Sequence, residues 1–278
     1  MRLKKYYPKR KKWVHKGDFG YVLIVAGSER FTGSPIFNGV AALRAGADLV
    51  TIVGHQRAMD VVASFLPDLI TYPLDGELHI KHVPKILELA KNFDALIIGG
   101  GLKRDKKTYK AIREIIKKIN LPMVIDAEAI RAVAEDKKIL KNKMAVLTPH
   151  SEEFRILTGE KVSNNLKERK EKVKKWAKKL KTVILLKGNI DIISDGEKVF
   201  LNKTGSPFMT KGGFGDTLTG ICGALLARGV FPFEAAKVAA FINGKAGEIA
   251  AKKYGEGVMA SDIFELIEKI PKVIKKYY

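Results

Sequence analysis

Short Val/Ile/Leu runs, each ending at Gly, Asp or Pro, recur along the chain. They are "YVLIVAG" (Tyr21–Gly27), "ADLVTIVG" (Ala47–Gly54), "DALIIGGG" (Asp94–Gly101), "PMVIDA" (Pro122–Ala127), "MAVLTP" (Met144–Pro149) and "TVILLKG" (Thr182–Gly188). None alternates apolar with polar residues, so the pattern predicts strands covered on both faces. Helical patterns lie between them: "GVAALRAG" before Ala47, "RAMDVVASFL" after Gly54, and "KKTYKAIREIIKKIN" between the third and fourth runs. This alternation predicts an α/β fold, a three-layer αβα sandwich around a mostly parallel sheet. Past Gly188 the period changes. "DIISDGEKVFLN" sets Asp195-Gly196 between two short β-like runs and predicts a late β-hairpin. Asp216–Ala227, Phe233–Tyr254 and the chain from Ala260 onward read as helix. No repeat, low-complexity tract or linker interrupts the pattern. The expected organisation is a basic N-terminal arm over 1–14 and a single domain over 15–278, with Tyr6, Tyr7 and Trp13 available to pack on the body.

Composition narrows the setting. With 278 residues, 46% of them hydrophobic, the chain can bury a sizeable core. Its apolar runs, about five to eight residues long, are too short to span a bilayer as helices. The N-terminus is basic but lacks an apolar signal core. Cys222 is the one cysteine, which excludes an intrachain disulfide and makes the cytoplasm the expected location. The net charge of +21 raises the question of nucleic acid. The lysines, however, are spread over amphipathic segments such as "LKERKEKVKKWAKKLK", where Val173, Trp176, Ala177 and Leu180 mark the buried face. Gln56 is the only glutamine, and Lys and Glu dominate the polar positions, a usage that resembles hyperthermophilic proteins. The expected partners are therefore anionic small molecules such as nucleotides, with neither nucleic acid nor membrane.

The candidate chemistry gathers at strand ends. Gly27-Ser28, Gly99 to Gly101, Asp126, Thr148 to His150 and Lys187-Gly188 end five separate runs, and a parallel sheet brings such ends to one edge. The sharpest feature is "KGGFGDTLTG", Lys211–Gly220. Gly212, Gly213 and Gly215 permit close backbone approach, and the following helix offers unpaired N–H groups to an anion. The segment lacks the Lys-Ser/Thr of a P-loop and the strand context of a dinucleotide fingerprint. Asp216 has two readings on these residues: a helix N-cap, or a general base beside a phosphoryl group.

"KGGFGDTLTG" resembles the anion-hole motif of the ribokinase-like superfamily. The segment "HKGDFGYVLIVAGSERFTGSPIFNGVAALRAGADLVTI" (His15–Ile52), then "LTPHSEEFRILTG" (Leu147–Gly159) and Val183–Gly220 resemble, in order, the NAD(P)H-hydrate dehydratases of that superfamily. The resemblance runs from about His15 to the C-terminus. It implies repair of hydrated NADH or NADPH: ADP or ATP phosphorylates the 6-hydroxyl, and loss of that phosphate restores the double bond. It further implies that Asp216 is the catalytic base, in addition to any capping role. Gly213, Phe214 and Gly215 would form the anion hole. Ser34, Gly101, His150 and Asp216 would contact the hydrated dinucleotide. Lys187, Gly188, Asn189, Ile190, Asp191 and Gly215 would hold the nucleotide. Magnesium on the phosphates is implied as cofactor, with no dedicated protein ligand set, and so is a homo-oligomer.

Five positions depart from the family pattern. Gly100 replaces a proline, which predicts a looser turn. Phe214 replaces a small or Thr-like residue and leaves the choice of ADP or ATP open; Asp191 replaces a threonine and puts one nucleotide contact in question. Ser34-Pro35 replaces two small residues. The length leaves no room for a fused epimerase domain, so epimerisation is expected either to fall to a separate NAD(P)H-hydrate epimerase as partner or not to be coupled here. The alternative reading is a small-molecule kinase of the same superfamily, of the hydroxyethylthiazole or hydroxymethylpyrimidine type. Asp126 is given a supporting role at most, and Glu152-Glu153 are read as a helix end.

Overall fold

The structure, a computed structural model, describes residues 3–273. Residues 1–2 of the expected arm and 274–278 of the expected last helix lie outside the described residues. In chain order the first half contains β1 (Tyr21–Val25), α1 (Gly33–Arg44), β2 (Leu49–His55), α2 (Gln56–Phe65), β3 (Leu69–Leu74), α3 (Val83–Ala90), β4 (Ala95–Ile98) and α4 (Lys106–Lys118). Then follow β5 (Met123–Ile125), α5 (Ala127–Glu135), β6 (Ala145–Leu147), α6 (Ser151–Thr158), α7 (Leu166–Leu180) and β7 (Val183–Leu186). The hairpin strands β8 (Asp191–Ser194) and β9 (Val199–Asn202) precede α8 (Phe214–Ala227), α9 (Pro232–Tyr254), α10 (Phe264–Ile267) and α11 (Ile270–Val273).

The strands form one nine-stranded sheet in the order β3-β2-β1-β4-β5-β6-β7-β8-β9. β1 to β7 run parallel, and β8 and β9 are antiparallel, as the sequence predicts. The unbroken apolar runs follow from burial on both faces. On β1, Val22 and Ile24 enter one core layer, with α1, α8 and α9; Leu23 and Val25 enter the other, with α4 and α5. Six strands coincide with the six runs. β3 escaped the sequence reading because "LITYPL" contains Pro73 and four partly or fully exposed positions. Proline is tolerated there because β3 lies at the sheet edge. No described helix is long and apolar enough to cross a membrane.

The N-terminal segment is held by more than charge. Leu3 is buried, Tyr6 and Tyr7 pack against the core, and the Tyr6 hydroxyl donates to Glu234. Trp13 remains exposed.

Strand order reverses between β1 and β4, where an open α/β sheet forms its ligand crevice. α1 and α8 meet behind this crevice at Gly220. A Cβ there would lie 2.3 Å from the Asn38 carbonyl oxygen and 2.8 Å from Ala41 Cβ. The backbone cannot yield cheaply, so Gly220→Ala should destabilise the fold by about 1–3 kcal/mol. A lowered chemical-denaturation midpoint with an unchanged slope is the expected result.

Candidate active site

The crevice opens into a cavity of about 1130 Å³ at the carboxyl ends of the strands. Ser34, Gly101, His150, Lys187, Gly188, Asn189, Asp191, Gly213, Phe214, Gly215 and Asp216 all line it. Ile190 sits in the same turn, outside the lining. Five segments that are distant in sequence thus meet in one cavity, because the parallel sheet aligns the strand ends.

Asp216 is not the cap of α8. The N-cap is Gly213, left-handed at φ 96°, and Asp216 is the third residue of the first turn. The helix starts early because Phe214 anchors its first turn in the core, at 5% exposure. The bulky side chain is thus part of the core beneath the first turn of α8. The first intrahelical bond runs from the Thr217 N–H to the Gly213 carbonyl at 2.9 Å. The N–H groups of Phe214, Gly215 and Asp216 consequently have no partner within the helix, and they carry the positive end of its dipole. A side chain at Gly213 would meet Ala260 Cβ at 2.7 Å and the Phe37 ring at 2.9 Å, so the loop has room only for glycine.

The Asp216 carboxylate accepts a hydrogen bond from the Ser34 hydroxyl at the start of α1. Its backbone carbonyl accepts from Asn38 Nδ2 at 2.8 Å. On the other side Asn243 Nδ2 donates to the Phe214 carbonyl at 3.2 Å, and Thr217 donates to Asn243 Oδ1 at 2.8 Å. These buried asparagines fix the first turn of α8 from α1 and α9. Sequence reasoning missed both, although each opens an Asn-Gly pair that follows two large apolar residues inside a helical pattern.

A second carboxylate set surrounds Lys187. Its ammonium donates to Asp126 Oδ1 at 3.0 Å and lies 3.9 Å from Glu153 Oε2. Asp126 also accepts from the Thr148 hydroxyl at 2.7 Å. It precedes α5 yet spends its carboxylate on Lys187 and Thr148 and makes no side-chain cap bond. Glu153 is the helix end that the sequence predicts, its carboxylate accepting from the His150 N–H at 2.9 Å in the capping box of α6, and the same carboxylate faces Lys187. The Asp126 and Glu153 carboxylates are both buried, at 7% and 8% side-chain exposure, and Asp126 lines the cavity. A side chain at Gly215 would come within 3.4 Å of Lys187 Nζ, which sets the ammonium beside the glycine loop.

These charges tune one another. Burial is the main influence that pushes the Asp216 carboxyl up to about 7; the Asp126 charge adds to it, while the Ser34 hydrogen bond and Lys187 oppose it. Burial also raises Glu153, which Lys187 partly offsets. For Lys187, burial works against the ammonium, but Asp126 and Glu153 outweigh it and hold its pKa above the ordinary lysine range. A carboxyl with a pKa near 7 at a helix N-terminus can take a proton from a hydroxyl at neutral pH.

His150 caps α6, with Nδ1 accepting from the Glu152 and Glu153 N–H groups at 3.1 and 3.3 Å. Its ring is half exposed at the cavity wall, and the neutral ring carries its proton on Nε2. Asp191 closes its own turn: Oδ1 accepts from the Gly188 N–H at 3.1 Å and Oδ2 from Asn202 at 3.0 Å. The glycine turn after β4 is not loose. Gly27 N–H donates to the Gly100 carbonyl at 2.9 Å, and a Cβ at Gly100 would lie 2.4 Å from Ser34 Oγ.

Comparison with known proteins agrees with this geometry. A family model described as NAD(P)H-hydrate dehydratase matches residues 22–269. The chain is 44% identical over 265 residues to the bifunctional NAD(P)H-hydrate repair enzyme of Pyrobaculum aerophilum, covering 94% of this chain and 52% of the relative. It thus spans about half the length of the bifunctional relatives it matches. It is 38% identical over 279 residues to the ADP-dependent (S)-NAD(P)H-hydrate dehydratase of Nitrosopumilus maritimus, covering 99% and 96%. The crystal structure of the ADP/ATP-dependent NAD(P)H-hydrate dehydratase of Bacillus subtilis, co-crystallised with ATP/Mg²⁺, is similar at a TM-score of 0.82 and 28% identity, covering 98% of this chain and 94% of that one. The αβα sheet order, the glycine loop ahead of Asp216 and these near full-length matches lead to one assignment: the chain belongs to the NAD(P)H-hydrate dehydratase family.

Proposed function

We propose that this protein returns hydrated NADH and NADPH to the reduced cofactor, with ADP or ATP as the phosphoryl donor. The observation that carries the proposal is the Asp216 carboxyl, raised to about 7 and facing the cavity from the first turn of α8. Its neighbours are a row of unpaired N–H groups and the Lys187 ammonium. The cavity volume lies just above the roughly 300–1,000 Å³ usual for one small ligand, as suits a site that takes two.

In this reading Asp216 takes the proton of the 6-hydroxyl as its oxygen forms a bond to the terminal phosphorus. The bond from that phosphorus to the next phosphate of the donor breaks. The N–H groups of Phe214 and Gly215 stabilise the equatorial oxygens, and Lys187 meets the charge on the departing phosphate. Loss of phosphate from C6 and of a proton from C5 then restores the double bond, with no redox step. Ser34, Gly101 and His150 orient the hydrated ring, and the Lys187–Asp191 turn holds the nucleotide.

Asp126 and Asp216, which line the cavity, offer the hard oxygen donors that Mg²⁺ takes, and with Glu153 they set three carboxylates around one ammonium, which leaves the floor able to accept a cation. Bound there, magnesium would neutralise phosphate charge. A small-molecule kinase would use the same loop and base; the near full-length match to a dehydratase supports dehydration instead. A cytoplasmic homo-oligomer belongs to the same reading. So does cooperation with an epimerase, which the bifunctional name of the Pyrobaculum relative supports.

The test is recovery of reduced-nicotinamide absorbance from hydrated NADH with Mg²⁺ and either nucleotide; no recovery with both rejects the proposal. The pH dependence follows from Asp216. Only the ionised carboxylate can take the proton, so kcat/KM should rise about tenfold per pH unit below 7 and level off above it. A flat profile from pH 5.5 to 8 on the order of measurement error would remove Asp216 as the base.

A further inference from the structure

Arg169, on α7, is 9% exposed and sits outside the cavity wall. Its guanidinium is met by neutral oxygens at long range. Nη1 donates to Ser151 Oγ at 3.4 Å and to the Ser163 carbonyl at 3.4 Å, and Nη2 to the Lys187 carbonyl at 3.3 Å. Desolvating a guanidinium on such terms is costly unless its charge has a use. Two observations show where the charge acts. A Cβ at Gly188 would lie 2.8 Å from Arg169 Nη2, so the group presses against the turn backbone. Its field also reaches Asp191, the acidic residue that closes the same turn. An aspartate at this point opposes any phosphate that binds the turn, because like charges repel in a partly desolvated site.

We infer that Arg169 is a positioning residue for the nucleotide: it holds the Lys187–Gly188 backbone in place and offsets the charge of Asp191, so that the turn accepts a phosphate. The inference rests on the proposed nucleotide role of the Lys187–Asp191 turn. Arg169 and Asp191 then act as a unit, and their substitutions are not additive.

The test is steady-state kinetics of the full chain with ADP and hydrated NADH, for wild type, Arg169→Met, Arg169→Lys and the double variant Arg169→Met/Asp191→Asn. Arg169→Met should raise KM for ADP about tenfold, with KM for the hydrate changed less than about twofold. The double variant should recover most of that loss, because removal of the opposing charge replaces its neutralisation. An unmoved KM for ADP overturns the inference. So does an equal rise in both KM values, which would mark a structural role alone. Should Arg169→Met not fold, Arg169→Lys carries the test. It keeps the charge, loses the bond to the Lys187 carbonyl, and should raise KM for ADP about threefold with the hydrate value unmoved; no rise overturns the inference. A wild-type enzyme whose rate does not depend on ADP or ATP overturns the nucleotide assignment itself, and that result is read before any variant is compared.

Discussion

Asp216→Asn is expected to lower kcat by about a thousandfold or more, at any pH from 6 to 9, with KM for the hydrate little changed. The amide keeps an acceptor for the Ser34 hydroxyl and leaves the asparagine clamps on the Phe214 and Asp216 carbonyls in place. It cannot take a proton. Folding should survive, and the stability difference has a definite sign. The folded-state pKa of Asp216 lies above its value of 3.8 in a free chain, so the folded protein binds the proton more tightly between 3.8 and about 7. That contribution is fully present below 3.8 and is lost as pH rises through 7. The asparagine variant should therefore melt at the same temperature as wild type near pH 3.5, and at the same or a higher temperature at pH 8. A variant that keeps its turnover would show that Asp216 only accepts the Ser34 hydrogen bond.

Lys187→Met is the second large effect, and it joins stability to function. The ammonium is the cation at the centre of Asp126, Glu153 and Asp216. Its removal leaves the buried Asp126 and Glu153 carboxylates facing each other without a counter-charge. Breaking a pair of this kind costs about 2–4 kcal/mol, less than a fully buried pair because Lys187 keeps 21% of its side-chain surface exposed. Activity should fall at least a hundredfold on the order expected for loss of one charge contact to a transferring phosphoryl group. Adding Asp126→Asn should return most of the stability and none of the activity. Recovery of both would make the lysine a structural counter-ion only; a thermal melt and a kcat measurement on the two variants separate the cases.

The sheet was legible because a strand buried on both faces must be continuously apolar, and six such runs named six of the nine strands. β3 was not, since an edge strand with Pro73 shows neither that run nor a clean alternation. The glycine loop and the strand ends pointed to the cavity, because only a parallel sheet brings Ser34, Lys187 and Asp216 to one edge. The roles inside the cavity were less visible. Asp216 as cap rested on its place after a glycine, but Phe214 draws the helix start back to Gly213. Glu153 was legible as a helix end, and it does cap α6; what the sequence does not display is that it and Asp126 are buried around Lys187, contacts between residues 34 and 61 positions apart that no local pattern records. Asn38, Asn243 and Arg169 are single polar residues on buried helix faces, and their partners are backbone carbonyls that a sequence does not display.

The central claim is that Asp216 drives transfer of a phosphoryl group to the hydrated cofactor and that its loss regenerates the double bond. The most direct measurement is product stoichiometry with hydrated NADH, ADP and Mg²⁺, following NADH by absorbance and AMP and phosphate by chromatography. One AMP and one phosphate should form for each NADH regenerated, and none of the three should form with Asp216→Asn. NADH that returns without nucleotide consumption, or AMP that forms without NADH, would contradict the account.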